Sequence, residues 1–290
     1  MNIISRLNNF TKNFNLYAKK NLLSYKNKSL IWQAMNYGVI NGGKRIRPFL
    51  VTEFSKVLKL KKSNYMRLAL AVELVHAYSL IHDDLPSMDN DELRRGKPTT
   101  HKKFGEGIAI LAGNSLLTLA FEIISDKKTH GDCKIRLKLI STLSQIAGFK
   151  GLAGGQALDL FYENKKPSKN KLIEIHKLKT AKLFEFCLIA PLIMSGGYTN
   201  KTWNQAKKFG NNFGLIFQAT DDLIDYNFQK SNAKSKIKKN NANILHYIDT
   251  KSVNSYCQKL ARDATINSNL FSNNKKPLNE LIFKIIQRKL

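Results

Sequence analysis

The stretch MRLALAVELVHAYSLIHDDLP, residues Met66–Pro86, decides the class of fold that we predict for this chain. Its apolar residues recur at intervals of three and four, which is typical of a helix with a buried face. Proline cannot continue a helix, so we expect this one to end beside Asp83 and Asp84. Apolar repeats of the same kind fill most of the chain, and long alternating strands are missing.

The sequence therefore predicts an all-α protein, a bundle of about ten or more helices around a central cavity. No segment reads as a linker between folded units, so residues 1–290 are expected to form a single domain. The predicted helices cover about 12–25, 29–37, 44–60, 64–82, 106–125, 132–160, 170–195, 200–228, 242–268 and 276–289.

The chain is strongly basic, with a formal net charge of +27. Such a charge often indicates nucleic acid or an anionic membrane as partner. Lysine and asparagine are spread over the whole chain, however, as a bias in composition would produce on solvated faces. Arginine is rarer, and four arginines stand in two short blocks, Arg45 with Arg47 and Arg94 with Arg95. Arginine binds anions through two parallel hydrogen bonds, so we expect a compact anion site and no nucleic-acid partner.

Cysteine usage and hydropathy indicate a cytoplasmic protein. The three cysteines are far apart and lack the spacing of a disulfide framework or a zinc site. The first residues have no continuous apolar core, unlike a signal peptide. The longest apolar run, Ile108–Ile124, is interrupted by Asn114 and Glu122, which favours a buried helix over a membrane span.

Two acidic clusters stand out in this basic chain. One contains Asp83, Asp84 and Asp89, and the other contains Asp221, Asp222 and Asp225. Carboxylates crowded at the edge of a core repel one another and lose hydration, and a divalent cation relieves both effects. Oxygen ligands without nearby histidine or cysteine favour Mg²⁺ over zinc. Mg²⁺ is usually held by one or two carboxylates and by phosphate oxygens, so a phosphorylated substrate is expected.

The two arginine blocks complete this hypothesis. Arg94 and Arg95 follow Asp89 closely, and the motif GGKRIRP, Gly42–Pro48, combines a glycine turn with three cationic side chains. Two acidic clusters and two basic blocks indicate two diphosphates bound side by side.

The chain resembles the bacterial trans-isoprenyl diphosphate synthases, and within them most nearly the farnesyl diphosphate synthases (geranyltranstransferases). The resemblance covers about Asn36 to Asp225. It depends on six motifs in the family's order: GGKRIRP, HAYSLIHDDLPSMDNDELRRGKPT, LAGNSLLTLAF, GLAGGQALDL, HKLKTAKLF and FGLIFQATDDLID.

The resemblance implies a role for each matching position. Isopentenyl diphosphate would be bound by Lys44, Arg47, His76 and Arg95. The allylic diphosphate would be bound by Arg94, Lys179, Thr180 and Gln218. Magnesium, up to three ions, would be held by Asp83, Asp84, Asp89, Asp221, Asp222 and Asp225. The catalytic set is expected to be Asp83, Asp84, Asp89, Arg94, Lys179 and Asp221.

The implied reaction joins isopentenyl diphosphate to dimethylallyl or geranyl diphosphate and yields (2E,6E)-farnesyl diphosphate. Magnesium draws off the allylic diphosphate, and the isopentenyl double bond attacks the resulting cation, so no protein nucleophile is needed. Tyr78 stands five residues before Asp83, about 7.5 Å along a helix. We expect Tyr78 with Ser79 to form the floor that stops chain growth. A homodimer is also implied.

The sequence departs from the family after the second acidic cluster. Family members carry a glycine-containing flap with a lysine there, whereas residues Tyr226–His246 contain no glycine or proline. Lys239 is the best match for the flap lysine, and Lys234, Lys236 or Lys238 could take its place. The alternatives are a synthase of geranyl or geranylgeranyl diphosphate, a terpene cyclase, a degenerate non-catalytic member of the fold, and a nucleic-acid-binding protein.

Overall fold

A computed structural model describes residues 2–231, 243–265 and 275–287 of this chain. The described residues group into two compact units, Met1–Ile140 and Ser141–Leu290. A single domain remains a prediction.

The first unit is built from helices and one very short hairpin. Its helices are α1 (Ile3–Leu23), α2 (Leu30–Ile40), α3 (Ile46–Val57), α4 (Lys62–Asp83), α5 (Thr100–Phe104) and α6 (Glu106–Ser125). Strands β1 (Leu93–Arg94) and β2 (Lys97–Pro98) pair antiparallel and are the only strands among the described residues. Helix α7 (Cys133–Ala147) runs across the boundary between the units.

The described residues of the second unit form helices joined by turns and loops, without a strand. It contains α8 (Leu152–Phe161), α9 (Lys169–His176), a π-helical turn (Lys177–Ala181), α10 (Lys182–Ser195) and α11 (Asn200–Ser231). A 3₁₀ turn (Ile244–His246), α12 (Thr250–Thr265) and α13 (Lys275–Ile286) follow. The prediction of an all-α fold is therefore confirmed.

Helix α4 forms the centre of the first unit, where it packs against α3 and α6. Most of its side chains are buried, including the carboxylate of Glu73. Helix α6 contains an 18-residue window of mean hydropathy 1.8, and by length and composition alone it could cross a membrane. In that window 44% of the residues are buried inside the protein, and a core helix passes the same test.

Several predicted boundaries differ from the structure. The helix predicted over 242–268 begins at Thr250, after the 3₁₀ turn, and α5 lies outside every predicted helix. The first helix begins at Ile3 rather than near residue 12, because the side chain of Asn2 accepts the N–H of Ser5 and caps it. The segment predicted over 132–160 is broken before α8, where Gly151 has a non-helical backbone (φ −140°, ψ −124°). Helix α11 continues to Ser231, beyond the predicted end at residue 228.

Candidate active site

The first acidic cluster lies in a tight turn at the end of α4. As predicted, the helix ends at Asp83. The N–H of Asp89 then donates to the carbonyl of Asp83 at 2.8 Å, and Asn90 adopts a left-handed backbone with φ 51°. Both aspartate side chains are half-buried. The turn therefore keeps Asp83 and Asp89 close along the chain while leaving them accessible.

Asp84 has a different environment from Asp83 and Asp89. It is buried, and its Oδ1 accepts bonds from Nε of Arg94 at 2.6 Å and from Nη2 at 2.5 Å. Burial raises the pKa of the Asp84 carboxyl, and Arg94 partly offsets that shift. Asp84 thus anchors Arg94 to the end of α4.

The twin arginines reach two different partners because they stand at a tight hairpin turn. Arg95 and Gly96 connect β1 to β2 with φ values of 56° and 74°, the left-handed pair that a two-residue hairpin requires. Arg94 contacts Asp84, whereas the Arg95 guanidinium donates to the carbonyl of Gly42. Gly43 has φ 116°, a conformation that favours glycine, and a Cβ there would lie 2.8 Å from Arg95 Nη1 and displace the guanidinium.

Arg45 counts among the predicted anion-binding cations of the basic motif, but the structure gives it a different role. Its backbone is left-handed (φ 53°) and its side chain is buried. The guanidinium donates to Oδ1 of Asn15 at 2.8 Å, to the carbonyl of Val39 at 2.6 Å and to Oε1 of Glu73 at 2.5 Å. Arg45 therefore fixes the glycine loop to α4. The sequence signal that could have found this pair is Glu73, an acid inside an apolar helical stretch.

The remaining cations of the motif lie nearer the surface. Lys44 is exposed, and its carbonyl accepts from the hydroxyl of Thr11 at 3.1 Å. Arg47 Nη1 lies 3.2 Å from Nε2 of His76. Burial lowers the pKa of His76 well below its ordinary value of 6.5, and Arg47 and then Arg95 lower it further. This part of the site therefore has an excess of positive charge that suits a polyanion.

Tyr78 and Ser79 are both buried in α4. The Tyr78 ring meets the His82 ring edge-to-face at 5.5 Å between centroids. Burial raises the pKa of the Tyr78 hydroxyl, and Asp83 adds to that shift. The Ser79 hydroxyl donates to the carbonyl of His76 at 3.0 Å. Their role as a floor for the product remains a prediction.

In the second unit, the π-helical turn carries the predicted lysine and threonine. Such turns often mark functional sites, because they widen the helix and shift the side chains that follow. Lys179 Nζ forms an ion pair with Oδ2 of Asp159 at 2.5 Å. The sequence analysis did not include Asp159 among the site residues. Its position in GLAGGQALDL gave no indication of its partner.

Thr180 and Gln218 are brought together by a close helix contact. The Thr180 hydroxyl donates to Oε1 of Gln218 at 2.7 Å. Helix α11 approaches so closely that a Cβ on Gly214 would lie 2.4 Å from Cα of Ala181. The predicted pairing of Thr180 with Gln218 in one site is consistent with this geometry.

The second acidic cluster divides into two kinds of side chain. Asp221 is half-buried and Asp225 is exposed, four residues apart on one face of α11. Asp222 is only 2% exposed, and its oxygens accept from Gln218 and from the N–H of Ile244. Burial raises the pKa of Asp222, and His176 partly offsets that shift. The three aspartates therefore do not form one open set of ligands.

The carboxylates suit an open Mg²⁺ site that phosphate oxygens complete, and not a site made of protein ligands alone. Among residues 2–231, 243–265 and 275–287, no group of three or more histidine, cysteine, aspartate or glutamate side chains is arranged to hold an ion. Each cluster nevertheless presents two accessible carboxylates, which is the number that Mg²⁺ commonly takes when phosphate supplies further oxygens. Lys239, predicted to contact diphosphate, lies outside the described residues.

Comparison with known proteins identifies the family of this chain. The model of the polyprenyl synthetase family matches residues 28–274. The chain belongs to this family. A farnesyl diphosphate synthase from Geobacillus stearothermophilus is 43% identical over 194 residues, which are 67% of this chain and 65% of that relative. A chloroplastic geranylgeranyl pyrophosphate synthase from Capsicum annuum is 40% identical over 225 residues, 73% of this chain and 60% of that relative. The matched part spans less than two thirds of either relative.

Solved structures of the family match almost the whole chain. An FPP/GFPP synthase from Zymomonas mobilis has a TM-score of 0.87 and 33% identity, with 98% of this chain and 99% of that one covered. A geranyltransferase from Helicobacter pylori, complexed with magnesium and isoprenyl diphosphate, has a TM-score of 0.83 and 31% identity, with 100% of this chain and 97% of that one covered.

Proposed function

We propose that this chain is a prenyltransferase that condenses isopentenyl diphosphate with dimethylallyl or geranyl diphosphate to give (2E,6E)-farnesyl diphosphate. The observation that carries the proposal is the division of the twin arginines, Arg94 on the acidic turn and Arg95 on the glycine loop. Two neighbouring guanidinium groups aimed at different partners suit two separate anions. The farnesyl diphosphate synthase relative supports this choice of product.

The isopentenyl diphosphate would be bound by the cationic group around the glycine loop. Lys44, Arg47 and Arg95 donate to its oxygens, and Arg45 keeps the loop in place through Glu73. His76 is neutral in the free protein, because burial and the arginines lower its pKa. An incoming diphosphate reverses that balance, since its charge favours the protonated imidazolium.

The allylic diphosphate would be bound by cationic side chains and by magnesium held at the two acidic clusters. Asp83 with Asp89, and Asp221 with Asp225, are the accessible carboxylates that would hold magnesium. When bound, Mg²⁺ neutralises charge on the leaving diphosphate and so assists breakage of the allylic C–O bond. Arg94 would donate to the same diphosphate. Lys179 would do so after exchanging its bond to Asp159 for one to the substrate.

The bond-forming step requires no protein nucleophile. The allylic C–O bond breaks first, and the electron pair of the isopentenyl double bond then forms the new C–C bond to the resulting cation. The departed diphosphate takes the proton that the product loses. The protein must keep water from the cation and stabilise the charge that leaves. We propose that the apolar surroundings of Tyr78 contribute to this exclusion.

Product sizing tests the proposed activity. The full chain is incubated with Mg²⁺, labelled isopentenyl diphosphate and either dimethylallyl or geranyl diphosphate. We expect a fifteen-carbon diphosphate from both, no product with EDTA, and a loss of turnover in Asp83→Asn. A twenty-carbon product would instead support geranylgeranyl diphosphate synthesis, which the Capsicum annuum relative favours. Absence of any product would contradict the proposal.

Chain length is tested at Tyr78. We expect Tyr78→Ala to give products longer than fifteen carbons, because a buried ring is removed from α4. Tyr78→Phe keeps the ring and should keep the product length. A Tyr78→Ala enzyme that still makes only farnesyl diphosphate would show that the floor lies elsewhere.

We further propose a homodimer that works in the cytoplasm with up to three Mg²⁺ ions per site. Support for the homodimer comes from helix α6, which carries Ile110 and Leu111 at 42% and 48% exposure. Large apolar side chains on one helix face often mark a contact between subunits.

A further inference from the structure

Asp222 is positioned differently from the other aspartates of its cluster. On helix α11 it shares a line of four-residue spacing with Gly210, Gly214 and Gln218. The two glycines mark the face that approaches the neighbouring helix most closely, since a Cβ on either would meet backbone atoms of residues 181–185. Asp222 continues this buried face.

Both carboxylate oxygens of Asp222 already have partners. Oδ1 accepts from Nε2 of Gln218 at 2.9 Å, and Oδ2 accepts from the N–H of Ile244 at 2.8 Å. Nε2 of His176 lies 3.8 Å from the same Oδ2. A buried carboxylate would lose these bonds on turning toward a metal, and each buried donor left behind would be destabilised.

The hydrogen bond from Gln218 to Asp222 fixes the orientation of the Gln218 amide. An ionised carboxylate can only accept, so it must face the NH₂ group of the Gln218 amide. The amide oxygen then faces Thr180, whose hydroxyl donates to it at 2.7 Å. Asp222 thereby determines which way the amide points and where the Thr180 proton lies.

The contact with Ile244 fastens a distant part of the chain. Ile244 begins the 3₁₀ turn that follows residues 232–242, and its side chain is buried. The side-chain NH₂ group of the preceding Asn243 donates to the backbone carbonyl of Asp222 at 3.4 Å. Residue 222 therefore makes two hydrogen bonds to the same re-entering segment.

We propose that Asp222 is a positioning residue and not a metal ligand: it orients Gln218 toward Thr180 and fixes the chain at Ile244. Only its effect on catalysis rests on the proposed function. Asp221 and Asp225, on the more open face, are left as the metal-binding pair of this cluster. This assignment departs from the metal role that the sequence predicts for all three aspartates.

Hydrogen exchange in the full chain without substrate tests the fastening. The D222N side chain is neutral, so the Ile244 N–H would donate to a neutral oxygen instead of a charged carboxylate. We expect the Ile244 amide to exchange about tenfold faster in D222N, because a hydrogen bond to a neutral group is weaker than one to a charged group. The matched variant D221N should exchange at the wild-type rate. An unchanged Ile244 amide in D222N would overturn the proposal.

Metal binding supplies the second readout. Titration of Mg²⁺ in the presence of inorganic pyrophosphate should show weaker binding in D221N and wild-type binding in D222N. Equal weakening in both variants would instead make Asp222 a ligand. If the chain proves to have no prenyltransferase activity, both readouts still stand, because neither requires turnover.

A second variant covers the case in which D222N does not fold. Ile244→Pro removes the N–H donor and leaves the carboxylate intact. Asn243 has the extended backbone (φ −114°, ψ 134°) that a following proline requires. The amides of Tyr247 and Ile248, which both bond to the Ile244 carbonyl, should then exchange faster. Wild-type exchange at these two amides would count against the fastening role.

Discussion

Residues of the basic motif and of the two acidic clusters differ in burial, even between neighbours. Arg45, Asp84 and Asp222 are buried and bonded to protein groups, whereas Lys44 and Asp225 are exposed. The motif letters do not show this division, since each buried residue stands next to an accessible one of the same charge. Burial depends on which side of a helix or turn a residue occupies, and that depends on packing partners far away in sequence.

The imidazole of His76 should report the arrival of a diphosphate. Its pKa is well below 6.5 in the free protein, so it is neutral at pH 7. As pH falls through 6.5 the unfolded chain binds a proton that the folded chain does not, so His76 contributes a loss of stability there. Inorganic pyrophosphate should raise its pKa by supplying negative charge.

NMR titration of the histidine resonances, with and without pyrophosphate, measures this shift. A His76 titration unaffected by saturating pyrophosphate would show that the anion binds elsewhere.

The Arg45–Glu73 pair should be important for stability. Glu73→Gln removes the charge that compensates a buried guanidinium, and breaking such a pair is expected to lower the free energy of unfolding by about 3–5 kcal/mol. Urea denaturation measures the change. Glu174→Gln, which breaks the exposed pair with Lys171, is the matched control and should have no measurable effect. Equal effects of the two variants would contradict the role given to Arg45.

At the scale of elements, helix α11 positions the predicted site residues of the second unit through one face. Gly210, Gly214, Gln218 and Asp222 recur every four residues, a pattern that is visible in the sequence. It could have predicted that Asp222 is buried, because small residues on one line mark a close helix contact. The π-helical turn Lys177–Ala181 could not be predicted in this way, since its residues are compatible with an ordinary α-helix.

Gly214→Ala should disturb this face. The new Cβ would lie 2.4 Å from Cα of Ala181, and such overpacking is expected to reduce the free energy of unfolding by about 1–3 kcal/mol. Thr180 and Gln218 would also move apart, so turnover should fall. Gly107→Ala in α6, where a Cβ meets nothing within 4 Å, is the control and should be neutral or slightly stabilising. Chemical denaturation compares the two, and equal stability would contradict the tight contact.

For the whole molecule, the sequence predicted the helical class and the family, because apolar periodicity and co-linear motifs survive changes elsewhere in a chain. It located the end of α4 correctly, since Pro86 and the aspartates mark it. It missed the break before α8 and the partners Glu73 and Asp159. Those depend on contacts between elements, which periodicity within one element does not contain.

A substitution on the exposed apolar side of α6 tests whether the chain forms a dimer. Leu111→Lys places a charge on that face and should convert a dimer to a monomer, because a buried unpaired charge weakens an interface strongly. Light scattering after size-exclusion chromatography measures the mass. Leu16→Lys on α1, at 62% exposure, is the control and should leave the mass unchanged. A monomeric mass for the wild-type chain would contradict the proposed homodimer.

The two-residue turn at Arg95 and Gly96 fixes the length of the hairpin as firmly as it fixes its shape. Adjacent guanidinium groups reach opposite partners only because the chain reverses between Arg94 and Lys97. Insertion of a single residue there would rotate the second arginine away from the glycine loop while every original side chain was still present. A chain altered in this way would keep its full set of motif letters and lose the proposed ability to bind two anions at once.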